Sequence, residues 1–76
     1  MTDTAKLKYY IEKRGLTQSK LAKMLDMTFS SLNNKVLNKR EFSTTEIAKI
    51  QKILNLSLEE KESIFFNEKS DEIITF

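Results

Sequence analysis

The most distinctive chemistry of this chain lies in three short polar side chains on one face of a predicted helix: Ser30, Asn33 and Asn34. An Asn amide can form a bidentate pair with N6 and N7 of adenine, and a Ser hydroxyl can donate to or accept from several base edges. Each of these residues costs roughly half a kcal/mol relative to Ala in a helix interior. Residues that lower the stability of their own helix are typical of a functional surface.

The other side of this helix is apolar. At about 100° per residue, Leu32, Val36 and Phe29 lie together and face the core. Phe29 has a second role open to it, because its ring at the start of the helix can also contact a thymine methyl group. Taken alone, the polar side would be explained by a solvated helix face. Five basic residues that can reach flanking phosphates favour nucleic-acid binding instead: Lys20, Lys23, Lys35, Lys39 and Arg40.

Charge is distributed unevenly along the chain. Residues 1–40 contain nine Lys/Arg and three Asp/Glu, a balance of +6, whereas residues 41–76 contain four Lys/Arg and eight Asp/Glu, a balance of −4. These balances give the formal net charge of +2. A basic first half favours a polyanionic partner, which the acidic second half would repel.

The composition argues against an enzyme and against a metalloprotein. The chain has no Cys and no His, so disulfides, thiolate metal sites and the commonest general base are absent. It also has no glycine-rich phosphate loop. We therefore predict no catalytic residues, no metal site, no cofactor and no small-molecule substrate. Because no apolar stretch has the length of a membrane span or signal peptide, we expect a soluble cytoplasmic protein that does not bind membranes.

Apolar periodicity and helix-capping residues predict five short helices in one small domain. The first helix ends at Gly15, which suits the left-handed backbone conformation that follows many helices. Thr17 is the predicted N-cap of the second helix. Asp26 lies in the turn that follows and tolerates the left-handed conformation better than most residues with a Cβ.

Thr28 caps a third helix that extends from about Phe29 to Leu37 and ends at Asn38. The fourth and fifth helices each begin with a capping box, in which a Ser precedes a Glu by three positions: Ser43 with Glu46, and Ser57 with Glu60. The fifth helix extends to Phe65 or Phe66. Short helices with connections of a few residues predict a compact all-α domain.

The predicted core consists of apolar residues that recur on one face of each helix. They are Leu7, Ile11, Leu21, Ala22, Leu25, Leu32, Val36, Ile47, Ile50 and Leu54. We also assign Met24 and Met27 to packing. Residues 1–66 form the predicted domain, and residues 67–76 a flexible C-terminal tail. The last four residues have strand propensity, which leaves a frayed terminus and a dimer contact as alternatives.

A set of motif residues spans the second and third helices and the loop beyond them: Gly15-Leu16-Thr17-Gln18, Leu21-Ala22, Leu25, Thr28, Ser30, Leu32 and Lys39-Arg40. From about Leu7 to Leu58 the chain thereby resembles the helix-turn-helix of the Cro and repressor family of temperate bacteriophages, also called XRE-like. The resemblance implies a compact five-helix, lambda-repressor-like DNA-binding domain with the helix-turn-helix at helices 2 and 3. The chain is also similar to small phage regulators of Gram-positive hosts. This similarity implies that the protein is located in the cytoplasm of a bacterial host cell.

The resemblance also implies roles for individual residues. The positions that meet base edges are Phe29, Ser30, Asn33 and Asn34. Gln18 occupies a position where family members contact a phosphate and brace a base-reading residue, and Thr28 one that offers backbone N–H groups to phosphate. With the basic residues added, the predicted phosphate contacts are Gln18, Lys20, Thr28, Lys35, Lys39 and Arg40.

Two functions of different classes fit this sequence, with an antitoxin-like regulator as a third alternative. The first is a Cro-like transcriptional regulator that binds double-stranded operator DNA as a homodimer, because one recognition helix contacts only a few base pairs. The second is a modulator of repression that keeps the helix-turn-helix fold but acts by binding a phage repressor protein. Both the homodimer and the complex with a repressor need a protein-contact surface. We predict this surface in the acidic second half of the chain, where it is formed by Leu58, Ile64, Phe65 and Phe66.

Overall fold

The structure is a computed structural model that describes residues 1–66 of the chain. Its five helices are α1 (Thr4–Lys13), α2 (Gln18–Met24), α3 (Phe29–Val36), α4 (Thr44–Leu54) and α5 (Leu58–Phe65). Residues 1–66 contain no β-strand. The predicted all-α fold with five helices is therefore confirmed. The predicted tail over residues 67–76 lies outside the described residues, so its separation from the domain stays a prediction.

A side-chain cap begins each of these helices. The predicted caps Thr17 and Thr28 accept hydrogen bonds from the backbone N–H groups of Lys20 and Ser31, at 3.2 and 3.1 Å. Both predicted capping boxes, one at Ser43 and one at Ser57, are formed in full. An additional cap precedes α1, where the Asp3 side chain accepts from the N–H of Lys6. These caps satisfy N–H groups that have no partner inside a helix.

The first four helices end in the same way, with a residue in the left-handed conformation. These residues are Gly15 (φ 73°), Asp26 (φ 59°), Asn38 (φ 65°) and Asn55 (φ 54°). In each case the next N–H group bonds back to a carbonyl five residues earlier: Leu16 to Ile11, Met27 to Ala22, Lys39 to Asn34, and Leu56 to Gln51. This is the Schellman arrangement, which satisfies the last carbonyls of a helix and turns the chain sharply. It explains how five helices fit into so short a chain.

All ten residues predicted for the core are buried, and three more join them: Leu56, Ile64 and Phe65. The assignment of Met24 to packing was wrong, because its side chain is 54% exposed. Leu21, Ala22 and Leu25 supply the buried side of α2, and Met24 falls about 100° away from the centre of that side. Met27 does pack against the core. In the part of the chain that the structure describes, no helix has the length and apolar character needed to cross a membrane.

Asp26 gives a test of the left-handed helix ends, because its exposed side chain forms no hydrogen bond among the described residues. We expect Asp26→Gly to raise the free energy of unfolding and Asp26→Ala to lower it. A residue with a Cβ pays on the order of 1 kcal/mol in this conformation, which Gly avoids and Asp partly offsets. Urea denaturation followed by the helical circular-dichroism signal measures both variants. Equal stability of the Gly and Ala variants would contradict this account.

Candidate nucleic-acid interface

The turn between α2 and α3 presents one side of α3 to solvent. Asp26 reverses the chain after α2, and Thr28 caps α3 two residues later. Leu32 and Val36 are fully buried, so the inner side of α3 is fixed against the core. The opposite side of α3 is therefore held at a constant orientation on the surface.

The four predicted base-reading residues lie on the part of α3 that the core leaves uncovered. Ser30 is exposed, and Asn33 and Asn34 are half-buried. Phe29, for which two roles were open, has a side chain that is 50% exposed. Phe29 lies one turn before the fully buried Leu32, so the first turn of α3 extends beyond the core. Its ring is thus accessible to a binding partner.

A hydrogen bond joins α2 to the exposed side of α3. The side-chain amide of Gln18 donates from Nε2 to Oδ1 of Asn33 at 3.0 Å. No other hydrogen bond reaches the Asn33 side chain from the described residues, so its Nδ2 donors remain available. The side chain of Asn34 has no hydrogen-bond partner within residues 1–66. This bond holds the Asn33 amide in a fixed orientation relative to α2.

Two cations follow directly after α3. The carbonyl of Asn34 accepts hydrogen bonds from the backbone N–H groups of Lys39 and Arg40, at 2.8 and 3.2 Å. These bonds fold the loop back against the end of α3, while both residues remain exposed. Lys20 is likewise exposed on α2. Exposed cations therefore lie on both elements that border the outer side of α3.

Lys35 occupies a different environment from the other predicted phosphate contacts. Its Nζ lies 2.8 Å from Oε1 and 2.7 Å from Oε2 of Glu46 on α4. The two side chains are only 12% and 22% exposed, so water screens this ion pair weakly. A phosphate contact by Lys35 would require this pair to break. We therefore leave Lys35 out of the proposed contacts with DNA.

Glu46 has two structural roles. Its Oε1 also accepts the backbone N–H of Ser43 at 2.9 Å, as part of the capping box of α4. Partial burial by itself would raise the pKa of Glu46, but the hydrogen bonds from Lys35 and Ser43, with the charge of Lys35, outweigh it and lower the pKa. The capping box was predicted from sequence, whereas the link from α4 to α3 was not.

The predicted protein-contact surface needs correction. Ile64 and Phe65 are 0% and 4% exposed, because they point from α5 into the core, where the ring of Phe65 packs edge-on against Phe42. They are not available to a partner in this conformation. Leu58 and Phe66 are 64% and 47% exposed. A groove of about 440 Å³ lies next to Phe66, and its lining includes Met1, Arg40 and Phe42.

Sequence reasoning also missed the contacts of the N-terminal segment. The backbone of Thr2 bonds to the side chain of Asn38, and the hydroxyl of Thr4 donates to the carbonyl of Val36. The N–H of Asp3 donates to the carbonyl of Ile64 at 2.7 Å. Long-range bonds to backbone atoms leave no periodic pattern, so the sequence had no signal for them. As for metal binding, no acidic cluster suited to an ion is present among the described side chains.

The geometry of α2 and α3 agrees with the comparisons to known proteins. A family model described as Helix-turn-helix matches residues 7–61. The match includes α2, α3, the loop after α3, and every residue predicted to contact bases or phosphates. The comparisons with curated proteins and with solved structures gave no match.

The lowered pKa of Glu46 predicts a pH-dependent contribution to stability. A carboxylate whose pKa is lower in the folded state stabilises the fold above its unfolded pKa of about 4.3. That contribution is lost as the pH falls through the folded pKa. We therefore expect wild-type protein to lose more free energy of unfolding between about pH 6 and pH 3 than Glu46→Gln does.

Urea denaturation across this pH range measures the difference. Glu59→Gln is the matched control, because the exposed side chain of Glu59 forms no hydrogen bond or ion pair with the described residues. We expect it to follow the wild-type pH dependence more closely than Glu46→Gln does. Identical pH dependence in wild-type and Glu46→Gln protein would show that the Lys35–Glu46 pair does not stabilise the fold.

Proposed function

Because the chain belongs to the helix-turn-helix family, we propose that it is a sequence-specific DNA-binding transcriptional regulator that inserts α3 into the major groove. The main support is the Gln18–Asn33 hydrogen bond. It orients an amide on the outer side of α3, where neither core packing nor helix propensity calls for an Asn. The more specific proposal is a Cro-like regulator of the genetic switch of a temperate phage.

The amides of Asn33 and Asn34 are suited to different base edges. Oδ1 of Asn33 already accepts one hydrogen bond from Gln18, whereas Nδ2 has no partner among the described residues, so Asn33 is better suited to donate to acceptors such as O6 and N7 of guanine or O4 of thymine. Asn34 keeps both its donor and its acceptor, as required for a bidentate pair with adenine. Ser30 adds an adaptable hydroxyl, and the exposed ring of Phe29 supplies an apolar surface for a thymine methyl group.

The proposed phosphate contacts flank this base-reading surface. Lys39 and Arg40 lie beyond the C-terminal end of α3, and Lys20 lies on α2. Gln18 and Thr28 are placed at the starts of α2 and α3, where backbone N–H groups favour anions. Between residues 18 and 40 there are five Lys/Arg and one Asp. This excess of positive charge supports attraction to the DNA backbone.

A single α3 would contact only a few base pairs, so we propose that the protein binds a palindromic operator as a homodimer. Leu58 and Phe66 are the exposed members of the predicted contact surface. Both lie at the ends of α5, in the acidic half of the chain. Phe66 shares its groove with Arg40, whereas Leu58 does not line that groove.

A second candidate function rests on the same apolar residues. Phe66 is half exposed beside a groove lined in part by Met1 and Phe42, and such a surface suits insertion of a side chain from another protein. In this alternative the protein is a modulator of repression that binds a phage repressor. The helix-turn-helix would then serve as a scaffold.

The DNA-binding proposal is tested by fluorescence anisotropy on the intergenic DNA upstream of the protein's own coding sequence, with a scrambled duplex as competitor. We expect Asn34→Ala to weaken selective binding by roughly 5- to 150-fold, the effect of losing one bidentate base contact. The substitution keeps the backbone carbonyl that holds Lys39 and Arg40. We expect Lys39→Ala to weaken binding to all sequences and to reduce the slope of log K against log salt by about 0.9.

Lys49→Ala is the matched control for Lys39→Ala, because Lys49 is an exposed lysine on α4 outside the proposed interface. It should leave the salt slope and the sequence preference unchanged. Wild-type protein that binds operator and scrambled DNA equally would refute sequence-specific regulation. Selective binding that Asn34→Ala leaves intact would refute the assignment of α3 residues to base edges.

The modulator alternative makes a different prediction. Mixing the protein with the DNA-binding domain of the neighbouring phage repressor should give a one-to-one complex in size-exclusion chromatography with light scattering. Phe66→Ala should weaken that complex by about tenfold or more, because buried aromatic residues dominate such interfaces. Leu37→Ala is the control, since Leu37 is an exposed apolar residue outside the groove. Absence of a complex with wild-type protein would eliminate this alternative.

A further inference from the structure

The backbone of Thr2 and the side-chain amide of Asn38 exchange two hydrogen bonds. The N–H of Thr2 donates to Oδ1 of Asn38, and Nδ2 of Asn38 donates to the carbonyl of Thr2, both at 2.8 Å. Thr2 is 8% exposed, although it is the second residue of the sequence given. We call this pair of bonds the Thr2–Asn38 clamp.

Two further hydrogen bonds hold the same segment in place. The hydroxyl of Thr4 donates to the carbonyl of Val36 at 2.6 Å, which satisfies one of the last carbonyls of α3. On the other side, the N–H of Asp3 donates to the carbonyl of Ile64 at 2.7 Å. Residues 2–4 are thus attached to the C-terminal ends of both α3 and α5.

Asn38 is also the residue that sets the direction of the chain after α3. It adopts φ 65°, and directly after it the N–H groups of Lys39 and Arg40 bond back to Asn34. The clamp therefore fixes the side chain of Asn38, and the backbone conformation of Asn38 sets the positions of Lys39 and Arg40. If Asn38 were free, rotation of its backbone would displace Lys39 and Arg40 together.

The left-handed conformation alone does not call for an Asn here. Glycine adopts it at lower cost, and Gly15 ends α1 in this way. What Asn adds is an amide with one donor and one acceptor, which match the N–H and the carbonyl of a single backbone residue. Both groups of the Asn38 amide form hydrogen bonds with the backbone of Thr2. The side chain of Asn38 thus has a role beyond ending the helix.

We propose that the Thr2–Asn38 clamp is a positioning device for the phosphate contacts of Lys39 and Arg40. This inference rests on the proposed DNA-binding function. Long basic side chains lose conformational entropy when they bind phosphate, and a fixed backbone beneath them reduces the freedom that must be lost. The clamp sets this backbone before DNA arrives, and it leaves the base-reading residues on the outer side of α3 untouched.

The test compares Asn38→Gly with Asn55→Gly. Asn38→Gly removes the clamp but keeps a residue that favours the left-handed conformation, and Asn55→Gly makes the same substitution at the end of α4, where the described residues form no clamp. Thr2→Pro is a second variant, which removes the N–H donor of the clamp and leaves Asn38 itself unchanged. Amide hydrogen exchange is measured on the free proteins, and the salt slope of binding is measured on both operator and scrambled duplexes.

We expect Asn38→Gly to speed exchange at the amides of Lys39 and Arg40, and to reduce the salt slope by about one unit on both duplexes. Its preference for operator over scrambled DNA should equal that of wild-type protein. Thr2→Pro should act in the same direction, and Asn55→Gly should leave the salt slope unchanged.

Unchanged exchange at Lys39 and Arg40 in Asn38→Gly would overturn the proposal, as would faster exchange with a wild-type salt slope. Because phosphate contacts do not depend on sequence, the slope on scrambled DNA tests the clamp even if wild-type protein shows no selectivity. Wild-type protein that binds both duplexes without preference refutes only the proposed function as a sequence-specific regulator. Wild-type protein that binds neither duplex refutes both.

Discussion

The arrangement of these helices depends on abrupt helix ends. A helix of seven to eleven residues is too short to be stable in isolation, so α1 to α5 form only because each is packed against the others. Such packing requires the chain to reverse within a few residues, and the left-handed residues at positions 15, 26, 38 and 55 provide this. Three of the four are Asp or Asn, for which the left-handed conformation has a higher free energy than it has for glycine. The position of α3 on the surface follows from two of these reversals, one before it and one after it.

Local signals explain how much of the fold could be predicted from the sequence. Caps at Thr17 and Thr28, the two Ser–Glu capping boxes, and the left-handed residues at 15 and 26 all depend on neighbours within five residues, and each is formed as expected. Apolar periodicity likewise identified ten core residues. The errors concern the edges of these patterns. Met24 falls just outside the buried side of α2, whereas Ile64 and Phe65 are covered by segments that are distant in sequence.

The candidate interface was predictable in residue type but not in the state of each group. The sequence predicts the same phosphate-contacting role for Lys35 as for Lys39 and Arg40, yet Lys35 is paired with Glu46 while Lys39 and Arg40 remain exposed. It placed Asn33 and Asn34 together as equal amides, yet only Asn33 is bound by Gln18. Such differences arise from tertiary contacts between helices, which a single sequence does not encode in any short-range pattern. They decide which groups are free to meet a partner.

The hydrogen bond between Gln18 and Asn33 has a consequence for how this protein can diverge. Replacement of either residue alone leaves the other amide without its partner, so a single substitution disturbs two positions at once. A change at position 33 would therefore be tolerated best when position 18 changes to suit it. If α3 contacts base edges as proposed, homologues with new target preferences should differ at both positions. Asn34 has no such partner among the described residues, so under the proposed function a substitution at position 34 alone offers the shorter evolutionary route to a new specificity.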